Sequence, residues 1–246
     1  MKKIILVLCL SLGLTTSAVA EHAHWGYQGD NAPENWGKIA DAHTCATGKT
    51  QSPIDIFASK TNQQLPKLKF NYRHANINKI TNHGHSLHFY FGSNSTLTYN
   101  NTVYTLAQFH AHEPAEHTIN GVRYPLELHF VHQAANHSHL IVTVFVEESK
   151  ENSYFEKMAI LKELAQNGNQ NTNILFNPEQ LYPHNRSYYR YTGSLTTPPC
   201  SESVTWILFR QPITLSKAEI EDISQYLAKN NNRPIQPLNN RIIENN

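Results

Sequence analysis

Charge of one sign, long hydrophobic runs and cysteine are all scarce in this chain of 246 residues. Twenty basic residues stand against 19 acidic ones, a balance that favours neither nucleic acid nor anionic membranes as partners. The apolar run from Ile4 to Leu14 follows Met1-Lys2-Lys3 and precedes Ala18-Val19-Ala20. A basic start, a short apolar core and an A-x-A site predict a secretory signal peptide over residues 1–20, since the run is too short for an ordinary membrane span. The remaining domain, residues 21–246, would carry 18 basic and 19 acidic residues. A lipoprotein reading of Leu6-Val7-Leu8-Cys9 is weaker, because too little hydrophobic sequence precedes the cysteine and no small residue stands beside it.

Cleavage would leave two cysteines, Cys45 and Cys200, in an oxidising compartment. One disulfide is the economical expectation, and closing its long loop would stabilise the fold by at most roughly 4–5 kcal/mol. A pair of zinc-binding thiols is the alternative, ranked lower because histidines offer a better ligand set. No linker, charge run or internal repeat divides the chain, so a single large domain is expected. Short asparagine-rich stretches, such as Asn167 to Asn173, read as loops.

Histidine is abundant instead, with 15 copies, all beyond the expected signal peptide. Two of them flank one residue in Gln108-Phe109-His110-Ala111-His112, and a third follows in Glu127-Leu128-His129. Residues i and i+2 of a strand share a face, so His110 and His112 can grip one metal ion, with His129 reaching it from a neighbouring strand. Three imidazoles that leave a fourth position open describe a catalytic rather than a structural zinc site. A lone H-x-H is as readily a polar strand facing water; the third histidine argues against that. Gln108 and Glu127 are polar candidates to accept the second ring N–H of these histidines. A helical metalloprotease fails on spacing, because His112-Glu113-Pro114-Ala115-Glu116-His117 matches neither zincin pattern and Pro114 would break the helix.

The remaining pattern is mainly β. Ser86 to Phe91, Leu126 to His132, His139 to Val146 and Val204 to Arg210 are short runs rich in β-branched and aromatic residues, with turn signals such as Asn120-Gly121. Alternation puts Glu127, His129 and Val131 on one face and Leu128, Phe130 and His132 on the other. Two helices are expected, one opened by the capping box Ser216-Lys217-Ala218-Glu219 and one from Tyr154 to Ala165.

Taken together, Gln108-Phe109-His110-Ala111-His112, Glu116-His117, Glu127-Leu128-His129 and Gly193-Ser194-Leu195-Thr196-Thr197-Pro198-Pro199 resemble the α-class carbonic anhydrases. The likeness runs from His24-Trp25-Gly26-Tyr27 through Gln51-Ser52-Pro53-Ile54-Asp55-Ile56 to Asn232-Arg233-Pro234-Ile235-Gln236-Pro237-Leu238. It implies a single mainly β domain with peripheral helices, built on a large, twisted, mostly antiparallel sheet. It also implies reversible hydration of carbon dioxide by hydroxide on a zinc ion held by His110, His112 and His129.

The same resemblance assigns further roles. Thr196 would aim the hydroxide and pass its own proton in a hydrogen bond to Glu116; alone, Thr196 would read as a turn residue. Val131, Val142, Leu195 and Trp206 would line the apolar pocket for carbon dioxide, although each also suits ordinary core packing. Thr197 would contact bicarbonate or an inhibitor. His85 would shuttle protons to buffer, and Tyr27 would join its water network. His83 and His88 depart from the family pattern, where amides are usual; they would be extra proton carriers, disturbances of the water chain, or solvent-exposed residues. Cys45 and Cys200 match a pair often joined in secreted and bacterial relatives. Sulfonamide and anion inhibitors, weak esterase activity, a periplasmic or secreted location and a homodimer complete the expectation. Two rival readings are a non-catalytic zinc store and a carbonic-anhydrase-like adhesion domain, neither of which needs Thr196, Glu116 and His85 together.

Overall fold

A computed structural model of the chain describes residues 25–72, 75–155 and 168–246. The expected signal peptide lies outside these residues, as does nearly all of the helix expected from Tyr154 to Ala165. No helix among the described residues is long and apolar enough to cross a membrane.

Thirteen strands among the described residues join in one sheet. Its centre runs through Leu87–Phe91, Thr102–His112, Leu126–Ala134, His139–Glu148, Glu202–Phe209 and Tyr188–Ser194. Most neighbours are antiparallel, but His139–Glu148 runs parallel to both Glu202–Phe209 and Ile213–Leu215, and Glu244–Asn245 runs parallel to Lys60–Thr61. The sheet is therefore mixed.

Side-chain alternation separates two cores. Phe109, Ala111, Leu128, Phe130, Leu140, Val142, Val144, Ile207 and Phe209 pack on one face. Ile141, Phe145, Val204, Trp206 and Leu208 pack on the other, with Val131 and Leu195 at their margin. Central strands buried on both faces need nearly continuous apolar sequence, which explains why seven consecutive residues from Leu140 to Val146 are all buried. His110, His112 and His129 interrupt this rule on the second face.

The helix Lys217–Ser224 begins at the expected box, with Ser216 accepting from the Glu219 amide and Glu219 accepting from the Ser216 amide. It ends before Leu227, so the apolar periodicity outruns the helix. A disulfide joins Cys45 to Cys200, with Cα atoms 5.0 Å apart. The bridge packs with Trp36 and Ala42 against Trp25 and Tyr27.

Candidate metal centre

The register between Thr102–His112 and Leu126–Ala134 places His110 opposite His129 and His112 opposite Glu127. All three histidines are buried, and one ring nitrogen from each lies within 4.8 Å of the others. Their second nitrogens are all engaged. His110 Nδ1 donates to Gln108 Oε1 at 2.8 Å, His112 Nδ1 to the Asn231 carbonyl at 2.6 Å, and His129 Nε2 to Glu127 Oε1 at 2.5 Å. A neutral imidazole has one N–H, so Nε2 of His110, Nε2 of His112 and Nδ1 of His129 are left as bare lone pairs.

Two of these lone-pair nitrogens, those of His110 and His112, sit 3.1 Å apart. That approach is repulsive between acceptors and becomes favourable around a shared cation. Burial, with the neighbouring imidazoles, pushes His110 well below the ordinary histidine pKa, and burial lowers His112 against the opposing pull of Glu116. Neutral imidazole is the form that binds metal. Among the described residues no fourth histidine, cysteine or carboxylate joins this triad within the same span. The donor set fits zinc with an open vertex.

A second cluster, His117, Glu127 and His129, also lies within 4.8 Å. Its members are already paired with one another. Glu127 Oε1 accepts from His117 Nδ1 at 2.7 Å as well as from His129, and Oε2 accepts from the His117 amide at 2.8 Å. Burial alone would raise the Glu127 carboxyl, but the two imidazoles and their hydrogen bonds hold it well below the usual range. With those oxygens taken, this cluster braces the His129 ring rather than offering a second set of free donors.

Glu116 is fully buried beside the triad. Its Oε1 accepts from the Arg233 amide at 2.9 Å, while Oε2 has no hydrogen-bond partner and lies 3.6 Å from His112 Nε2. The bond expected from Thr196 to this oxygen is not formed here. Thr196 is nonetheless buried, in a loop drawn in by the Leu195 amide on the Ser201 carbonyl and the Cys200 amide on the Thr197 carbonyl. Thr197 beside it is half-buried.

Alternation corrects one expected wall residue. Val142 belongs to the core on the far face, whereas Ile141 pairs with Val131 on one side and Trp206 on the other. A shift of one residue along a strand exchanges its faces, so the apolar side chains clustered on the face of the three histidines are Val131, Ile141, Leu195 and Trp206.

At the rim, the His85 ring lies 4.1 Å from that of Trp25 and 6.3 Å from that of Tyr27, whose hydroxyl is buried without a partner. His83 is exposed and meets His88 edge-on at 4.6 Å. His88 is half-buried and stacks on His110 at 4.6 Å. Burial, reinforced by the surrounding histidines, pushes His88 down to about 3, so it stays neutral near pH 7. Of the two departures from the expected pattern, His83 is exposed and His88 only partly so.

Several groups escaped the motif reading. The Asn231 carbonyl and the Arg233 amide were hidden because backbone atoms carry no side-chain signature, although Arg233 lies in a segment that carries the resemblance. His117, Tyr191 and Ser52 extend the Glu127 pairing inward.

Comparison with known proteins places these features in context. The family model for eukaryotic-type carbonic anhydrase matches residues 31–246. A carbonic anhydrase of Neisseria gonorrhoeae is 36% identical over 242 residues, covering 98% of this chain and 94% of the relative. One of Pectobacterium carotovorum is 37% identical over 244 residues, covering 98% of each. The solved α-carbonic anhydrase of Thermovibrio ammonificans, in complex with the inhibitor sulfanilamide, superposes with a TM-score of 0.82 at 38% identity, covering 90% of this chain and 98% of that one.

Proposed function

Because this chain belongs to the α-carbonic anhydrase family, whose reaction is the hydration of carbon dioxide, we propose that it catalyses that reaction reversibly with zinc held by His110, His112 and His129. Zinc in such a site brings the pKa of water towards neutrality and supplies hydroxide, as is known for carbonic anhydrases as a class. The observation that carries the reading is the set of three converging lone pairs, each fixed by a hydrogen bond on the opposite ring nitrogen.

The chain's own residues do the rest. Gln108, the Asn231 carbonyl and Glu127 hold the imidazole tautomers. Glu116 Oε2 is a buried acceptor lacking a donor beside the triad; the Thr196 hydroxyl would donate to it, which leaves the Thr196 oxygen to accept a hydrogen bond from the attacking nucleophile and so aim it. Val131, Ile141, Leu195 and Trp206 offer an apolar wall to carbon dioxide, and Thr197 contacts bicarbonate. His85 carries the released proton to buffer at the rim.

Sulfonamides and anions are the expected inhibitors, in line with the sulfanilamide complex of the Thermovibrio protein. Weak hydrolysis of activated esters follows from the same chemistry. We place the mature domain from Glu21 onward in the periplasm, as a homodimer; the disulfide is consistent with an oxidising compartment. Stopped-flow hydration of carbon dioxide, with and without a zinc chelator, tests the reading. Chelator-sensitive turnover supports it. A zinc-loaded protein without turnover leaves the zinc store or the adhesion domain.

A further inference from the structure

Ser52 lies far from the three histidines in sequence, is fully buried, and every polar atom it carries is used. Its amide donates to Ser194 Oγ at 2.9 Å, and its Oγ accepts from the Ser194 amide at 3.0 Å, a reciprocal clasp. Its carbonyl accepts from Arg233 Nη1 at 2.8 Å, and its hydroxyl meets Tyr191 OH at 2.7 Å.

Each branch ends on the proposed site. Ser194, whose hydroxyl donates to the Leu195 carbonyl at 2.7 Å, stands two residues before Thr196. Arg233 holds Glu116 through its amide, and its Nη2 reaches the Cys45 carbonyl beside the disulfide. Tyr191 meets His117 Nε2 at 2.7 Å, and His117 passes to Glu127 and His129.

The donors along the last branch have one consistent direction. Glu127 Oε1 accepts the Nδ1–H of His117, and in the tautomer that this leaves, Nε2 accepts from Tyr191; burial keeps the Tyr191 phenol protonated by raising it well above 10. Tyr191 then accepts from the Ser52 hydroxyl. The neighbouring sequence makes room for this node. A Cβ on Gly193 would sit 2.1 Å from Ser52 Oγ, so only glycine there allows the clasp. A buried network of this kind is expensive unless fully satisfied, and here its bonds converge from three directions on one serine.

We propose that Ser52 is a positioning residue for the zinc site, the node that locks the loop bearing Thr196 to the Glu116 clamp and to the hydrogen-bond chain behind His129. The inference rests on the functional reading for its effect on turnover, but not for its effect on the loop.

The test compares wild type and Ser52→Ala as zinc-loaded full-length protein by hydrogen exchange and by stopped-flow kinetics. Exchange should rise at least about tenfold over residues 194–200 and stay unchanged in the strand Thr102–His112. Turnover (kcat/KM) should fall about tenfold, as small misplacements of reacting groups do. In a Thr196→Ala background the same substitution should add little, because positioning through Thr196 makes the two losses non-additive. Unchanged exchange over residues 194–200, or fully additive losses, would overturn the proposal. Should Ser52→Ala fail to fold, Tyr191→Phe removes one oxygen from the same node and must raise exchange in the same segment; no rise counts against the node. Wild type without chelator-sensitive turnover would sink the functional reading alone, since the exchange measurement still decides the role of Ser52.

Discussion

Replacing Glu127 with glutamine removes one charge and leaves the shape almost unchanged, so the outcome isolates what the carboxylate does for His129. Glu127 accepts three N–H bonds, two at Oε1 and one at Oε2. A glutamine has one oxygen, and its NH2 must face a donor: the His117 amide, or an imidazole N–H. If it faces His129 Nε2, that nitrogen must become an acceptor and the proton moves to Nδ1, the atom that should bind zinc. Loss of such an outer hydrogen bond weakens metal binding by about 10–100-fold, equivalent to about 1.4–2.7 kcal/mol. Competition titration of Glu127→Gln and wild type against a chromophoric chelator at pH 7.5 measures the shift. Zinc affinity within a factor of two of wild type would refute the claim that Glu127 fixes the His129 tautomer.

Acid titration tests a different buried group. Burial lowers His132, whose ring meets the Tyr72 hydroxyl at 2.5 Å, from 6.5 to about 4. A base depressed in the fold lets the unfolded chain bind more protons between these values, so stability is lost as pH falls from about 6.5 to about 4, by roughly 3 kcal/mol. Urea unfolding of zinc-free protein should show a shallower pH slope in His132→Gln than in wild type; equal slopes would contradict the assignment. The two faces of the strand His139–Glu148 should separate by assay: Ile141→Phe should lower kcat/KM with little loss of stability. Val142→Ala should instead cost about 2 kcal/mol on unfolding and leave kcat/KM unchanged. His85→Ala should lower kcat about tenfold or more with kcat/KM intact, and imidazole buffer should restore it; a variant whose kcat stays at the wild-type level would remove His85 from the proton path.

Side chains that act through strand periodicity were legible before any coordinates. The spacing of His110 and His112, the alternation through Glu127, His129 and Val131, and the capping box at Ser216 all follow from local geometry, and each is found in the structure. Val142 shows the weak point of that approach: a strand buried on both faces is apolar at every position, so alternation leaves no polar mark to say whether residue 141 or 142 looks into the site. Parallel pairing of His139–Glu148 with Glu202–Phe209 was equally hidden, because register between distant segments is set by packing and not by either sequence alone. The contributions of Asn231 and Arg233 to the site come from main-chain atoms. Ser52 stands in a segment that carries the resemblance, but nothing local gave its role, which exists only once residues 142 positions apart are brought together.

X-ray absorption at the zinc edge of stoichiometrically loaded protein addresses the central claim most directly. Three nitrogen donors at about 2.0–2.1 Å, with imidazole scattering, and one oxygen donor from solvent are predicted. A sulfur donor at about 2.3 Å, or a fourth protein side chain completing the shell, would contradict the account.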